Sequence, residues 1–179
     1  MIINSKNDLK DFFLKKNYNS TSFFTLKGQN LYGRVVNVHD GDTITVVINI
    51  FDSFYKFNIR LNEIDTCEIT SKNEKVKELA ILSRNKLISL ITEKDVSEIS
   101  ILNNRKSINI FLNENVYCVW IECLDFDKYG RLLANIFSDE NSKESFSSIL
   151  LKENLAYKYK GATKLSEDEQ INCLKNEKY

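Results

Sequence analysis

The chain has 179 residues, with 25 Lys or Arg against 25 Asp or Glu, so its formal charge is zero. That balance excludes a general nucleic-acid coating protein, whose affinity comes from counterion release by many cations, and leaves room for an enzyme whose positive charge is local. Apolar residues at 42% suffice for one core, and no run approaches the roughly 18 apolar residues of a membrane span.

Met1 to Ser20 mixes Lys, Asp and Asn with Leu and Phe and lacks the apolar stretch of a signal peptide, so the expectation is a soluble, intracellular protein. Within that stretch Asn4 to Lys16 reads as a short amphipathic helix carrying Leu9, Phe12 and Phe13 on one face. Ser22 to Leu26 is expected as an edge strand. Tyr32 to Val38, Thr43 to Ile50 and Phe54 to Leu61 are β-branched or aromatic runs. Asp40-Gly41 between the first two is a hairpin signal, so the three form a meander.

Glu74 to Ile91 is expected as a helix with Val76, Leu79, Ala80, Leu82, Leu87 and Ile91 on its apolar face. In 94–115, Ile99, Ile101, Ile108 and Ile110 alternate with polar residues, which suggests an added β-hairpin turning at Asn103-Asn104. Val116 to Leu124 and Arg131 to Phe137 are strands joined by a turn at Asp127 to Gly130. A helix then runs from Ser142 or Lys143 to Asn154, and Glu167 to Asn176 forms a last short one.

This order suits an α+β fold, a five-stranded Greek-key barrel of OB type with about three packed helices. The expected division is an extension over 1–28, the barrel domain over 29–165 with its insertion at about 94–115, and a C-terminal helix and tail over 166–179.

Four cysteines (Cys67, Cys118, Cys123, Cys173) form no C-x-x-C pair, and His39 is the sole histidine, so reduced thiols are expected rather than a zinc site. Only five glycines occur, and Gly41 and Gly130 both fall inside the motifs described next; each is expected to need positive φ or a close backbone approach.

Three stretches carry chemistry: His39-Asp40-Gly41-Asp42-Thr43, Arg60 to Glu68, and Asp127-Lys128-Tyr129-Gly130-Arg131. Each alone reads as a turn or a salt bridge. Together they supply two acidic metal-ligand candidates, a spare glutamate and two arginines. A hairpin and its neighbouring strand can bring Asp42 and Asp65 to one barrel rim, where two carboxylates, a backbone carbonyl and waters suit Ca²⁺ or Mg²⁺. Glu68, three residues after Asp65, fits a general base acting on a metal-adjacent water. Arg60 lies five residues before Asp65, so on a regular strand the two point to opposite faces, and a bulge or the strand's end must re-aim one of them. A single histidine and the absence of any Glu-x-Lys triplet or phosphate-binding P-loop motif disfavour other hydrolase designs.

Asp42, Arg60, Asp65, Thr66, Glu68 and the Asp-Lys-Tyr-Gly-Arg ending at Arg131 resemble the active site of the staphylococcal nuclease (thermonuclease) family, over about Tyr32 to Lys160. The resemblance implies Ca²⁺-dependent phosphodiester hydrolysis of DNA and RNA on the 5′-oxygen side of phosphorus. It makes Asp42 and Asp65 side-chain Ca²⁺ ligands, with Thr66 giving its backbone carbonyl. It makes Arg60, Glu68 and Arg131 catalytic, and Lys128, Tyr129 and Tyr157 contacts to a bound nucleotide. A monomer with DNA or RNA as substrate and no membrane partner is expected. Where the family has Thr-Pro-Glu this chain has Thr66-Cys67-Glu68, and the 94–115 insertion and the first 28 residues have no counterpart in the minimal domain. The rival readings are a non-catalytic OB module that binds nucleic acid or a protein, and a structural barrel.

Overall fold

A computed structural model describes residues 6–102, 104–161 and 163–174. After helix α1 (Lys6–Phe13) come strands β1 (Asn30–Val38), β2 (Thr43–Ile50) and β3 (Ser53–Leu61), and the two-residue β4 (Ile64–Asp65). Helices α2 (Glu74–Thr92), α3 (Val96–Ser100) and α4 (Arg105–Glu114) precede β5 (Cys118–Phe126) and β6 (Leu132–Phe137). Helix α5 (Phe146–Lys152), the two-residue β7 (Tyr157–Lys158) and α6 (Glu167–Leu174) complete the chain.

Five strands close a barrel in the order β1-β2-β3-β6-β5, with β3 and β6 parallel and the other pairs antiparallel. Closure leaves no free edge. The period of two along each strand turns Val35, Ile44, Val46, Ile59, Val119 and Ile121 inward at 0% exposure. Each such side chain contributes about 1.5–3 kcal/mol by leaving water. β4 pairs with β7 beside the barrel, Asp65 opposite Tyr157. A second, smaller apolar cluster joins Cys67, Val76, Ala80, Tyr157 and Leu174, which ties α6 to α2. No helix among the described residues is long and apolar enough to cross a membrane.

Three expectations are corrected. Ser22 to Leu26 is not a strand: both edges of β1 are taken by β2 and β5, so nothing remains for it to pair with, and only Leu26 enters the core. The 94–115 segment is helical, not a hairpin. Asp95 and Asn104 cap α3 and α4 with capping boxes, and Ile108 and Leu112 are buried at helical spacing while Ile101 and Ile110 stay exposed. On α2 the buried stripe runs through Ile88, and Leu82 is exposed. The expected helix ends at Asn4 and Asn176, and the turn residue Asn103, lie outside the described residues.

Candidate active site

The site forms at one rim of the barrel, where the β1–β2 turn, the end of β3 and β4 meet. The turn is closed by the His39 amide donating to Thr43 O at 2.9 Å, and Leu61 N donates to Asp42 O at 2.8 Å, stitching the turn to β3. Gly41 is required by space: a Cβ there would lie 2.6 Å from Ser83 Cβ and 2.9 Å from Thr66 Cγ2. The backbone of the turn therefore presses directly on α2 and on the loop after β4, which sets the depth of Asp42.

Asp42 is 1% exposed and Asp65 0%. Thr43 Oγ1 donates to Asp42 Oδ1 at 2.8 Å, and the Thr66 amide and hydroxyl donate to Oδ2 at 3.1 and 3.3 Å. The Arg60 guanidinium bridges the two acids, Nη1 to Asp42 Oδ1 and Nη2 to Asp65 Oδ1, while Nη2 also donates to Ile64 O at 3.2 Å. β3 ends at Leu61, and the chain reverses through Glu63 at φ +63° before β4 begins. That turn, not a bulge within the strand, brings Asp65 to the face of Arg60.

Burial drives Asp42 well above the ordinary carboxylate range, and the charge of Asp40 adds to the effect against the opposing pull of Arg60. Burial acts the same way on Asp65, but hydrogen bonds from Tyr157 and Arg60 outweigh it and hold that carboxyl below its usual value. Two acids of one site are thus pushed apart by their surroundings. A desolvated pair of acids needs positive charge beside it, and the Arg60 guanidinium supplies it.

Beside this pair opens a cleft of about 760 Å³, lined among others by Arg60, Glu68, Lys128, Tyr129, Arg131 and Tyr159. Lys164 reaches over it, with Nζ 2.6 Å from Glu68 Oε1 and 3.2 Å from Asp65 Oδ1. On the far wall Arg131 follows Gly130, whose φ of +78° turns the chain back toward the barrel. Asp127 fixes this turn: Oδ1 accepts from the Tyr129 and Arg131 amides, each at 2.9 Å, and Oδ2 accepts from Arg131 Nε at 2.7 Å. The Arg131 guanidinium also stands 5.5 Å from the Tyr129 ring, and Lys128 Nζ 5.1 Å from it.

The structure therefore gathers Arg60, Glu68, Arg131, Lys128 and Tyr129 around one cleft, with Asp42, Asp65 and Thr66 beneath Arg60. Tyr157 lies elsewhere. It is 4% exposed, and its hydroxyl donates to Asp65 Oδ2 from below. Tyr159, two residues on, faces the cleft with its ring 5.8 Å from the Arg60 guanidinium carbon. Asp127, Tyr159 and Lys164 also line the cleft. The first could have been found from the Asx-turn signature of Asp followed by Lys-Tyr-Gly. The other two carry no local signal.

Among the described residues no group of three or more His, Cys, Asp or Glu is placed to hold a metal ion. A hard cation between Asp42 and Asp65 would draw its remaining ligands from backbone oxygen, water or a substrate phosphate.

A sequence model of the staphylococcal nuclease homologue family matches residues 58–178, about two thirds of the chain, and so takes in Arg60, Asp65, Glu68 and Arg131 but not Asp42. An uncharacterized protein of Methanocaldococcus jannaschii is 32% identical over 169 residues, an alignment that covers 90% of this chain and 74% of the relative.

Proposed function

The chain belongs to the staphylococcal nuclease homologue family, and from that premise we propose that it is a Ca²⁺-dependent nuclease that hydrolyses phosphodiester bonds of DNA and RNA on the 5′-oxygen side. One observation carries the reading: two buried carboxylates converge on one point beneath a cleft whose rim bears a carboxylate and two arginines.

The residues fit Ca²⁺. Asp42 and Asp65 are close enough to share one guanidinium, both are desolvated, and the donor set is oxygen alone. Asp42, Asp65 and the Thr66 carbonyl would hold the ion. When bound, it supplies Lewis-acid stabilisation of phosphoryl oxygen and lowers the pKa of water. Glu68 is then the group that accepts a proton at its carboxylate from the attacking water as the new O–P bond forms. Arg60 and Arg131 meet the negative charge that develops on the phosphoryl oxygens as the bond to the 5′-oxygen breaks. Lys128 and Tyr129 flank the strand. Asp127, Tyr157 and Lys164 are positioning residues: they hold Arg131, Asp65 and Glu68 respectively.

Incubating plasmid DNA and an RNA transcript with the protein, with and without Ca²⁺, tests this. Cleavage with Ca²⁺ that ends on chelation, and that Asp42→Asn and Asp65→Asn both abolish, is the expected result. Mg²⁺ should support little turnover, because it demands tighter octahedral geometry and releases water reluctantly. Robust cleavage in chelator would end the reading. The rival, a non-catalytic nucleic-acid-binding module, draws on the fact that Arg60 and Lys164 already neutralise these carboxylates. Strand binding without cleavage under any divalent ion would favour it.

A further inference from the structure

A second recess, of about 640 Å³, lies on the outer face of the barrel under the inserted helix α4. Its barrel wall carries Asn37, His39, Thr45, Lys56 and Asn58, and its helix wall carries Arg105, Asn109 and Asn113. The helix residues fall at i, i+4 and i+8, so one stripe of α4 faces the groove while Ile108 and Leu112 pack into the core. No carboxylate lines this recess among the described residues, in a chain whose acids equal its bases.

Three features mark the groove as a binding site. Asn37 Oδ1 and Asn109 Oδ1 are buried without a hydrogen-bond partner among the described residues, and Asn37 is only 7% exposed. Leaving two amide oxygens unpaired at one place is costly, and a ligand with donor groups relieves it. A polar cluster lies beside them: Asn37 Nδ2 is 2.9 Å from His39 Nε2, and Thr45 Oγ1 is 2.8 Å from His39 Nε2 and 2.9 Å from Asn58 Oδ1. Lys56 and Arg105 supply exposed positive charge from opposite walls. Amides that pair with base edges, beside cations that meet phosphates, are the chemistry that recognises a nucleic-acid strand.

The position agrees. Lys56, Asn58 and Arg60 project from one face of β3, since side chains alternate, and Arg60 opens onto the cleft. From Arg60 to Lys56 is about 13 Å along the strand. The β1–β2 turn separates the two recesses, with His39 in one and Asp40 in the other. A strand leaving the cleft along this face passes into the groove within a few nucleotides.

We propose that the groove between β1–β3 and α4 is an exosite for single-stranded nucleic acid, holding the substrate strand beyond the scissile phosphate; this rests on the nuclease reading only for which strand it holds. Its floor binds base edges through Asn37 and Asn109, and Lys56 and Arg105 bind the backbone.

Fluorescence anisotropy in chelator, with a labelled single strand of about 20 nucleotides and a labelled dinucleotide, tests it without turnover. The Lys56→Ala/Arg105→Ala variant should weaken binding of the long strand at least about fivefold and flatten its salt dependence by about 1.4 in log–log slope, the loss expected for two phosphate contacts on a single strand. Dinucleotide affinity should not move. Asn109→Ala, which removes no charge, should weaken the long strand without changing the slope. Parental affinity in both variants, or an equal loss for the two ligands, overturns the exosite. A protein that binds the strand through these residues but cleaves nothing sinks the nuclease reading and leaves the groove standing. One that cleaves while the variants bind like the parent sinks the groove alone.

Discussion

Lys164 and Glu68, 96 residues apart in sequence, meet at 2.6 Å over the cleft, and the same ammonium lies 3.2 Å from Asp65. The lysine therefore competes for both the proposed base and a proposed metal ligand. Lys164→Ala is expected to bind Ca²⁺ a few-fold more tightly, because one competing cation is gone from the edge of the site. Calorimetry reads this directly, and an unchanged affinity would show that the lysine does not compete.

Glu68 and Arg131 both have partly exposed side chains, so altering them should not unfold the protein. Arg131→Ala is expected to lower turnover by about 100-fold or more, the scale for one preorganised charge donor. Glu68→Gln should do comparable damage. Folded variants that keep near-parental rates would overturn these roles.

Asp127 sets the pH response of the Arg131 turn. Burial tends to raise its pKa, but hydrogen bonds from the Arg131 amide and side chain and from the Tyr129 amide outweigh that and hold it low. A depressed folded value means the stabilisation is complete above the unfolded pKa of about 3.9 and is lost as pH falls through the folded value. Asp127→Asn should cost about 1 kcal/mol at neutral pH, with the gap to the parent closing under strong acid. A Tm difference that stays constant from neutral to acid pH contradicts this.

Gly41→Ala places a methyl group against Ser83 and Thr66, where neither neighbour is the far end of a flexible side chain. About 1–3 kcal/mol of stability should be lost, with Asp42 displaced and activity falling together with it. A variant as stable as the parent would mean the turn has room that the packing does not show.

Cysteine reactivity should divide in two. Burial pushes the Cys67 and Cys123 thiols up to about 11, while Cys118 and Cys173 are exposed. A thiol reagent at neutral pH should label two cysteines in the native protein and all four in denaturant. The burial of Cys67 also bears on the family's proline at that position. Cys67→Pro stiffens the loop, a gain of under about 1 kcal/mol where the backbone φ suits proline. The thiol packs against Val76, Ala80 and Tyr157, so that gain is offset by lost packing, and the net change in Tm should be small.

What the sequence alone determined is whatever depends on neighbours along the chain. The period-two runs gave β1 to β3, the Asp40-Gly41 signal gave the hairpin between β1 and β2, and the motifs at Asp42, Arg60 to Glu68 and Asp127 to Arg131 gave a resemblance to the family. The short helices defeated it, because Ile99, Ile101, Ile108 and Ile110 fit a period of two until the caps at Asp95 and Asn104 are seen to act. Only the tertiary structure decided which tyrosine faces the cleft, since pairing Asp65 with Tyr157 sinks that ring and leaves Tyr159 at the surface of the site. It alone brought Lys164 onto Glu68 and the polar stripe of α4 over β1 to β3. Contacts of that kind depend on how the barrel closes and where the connecting loops then run, and no local pattern of residues encodes either.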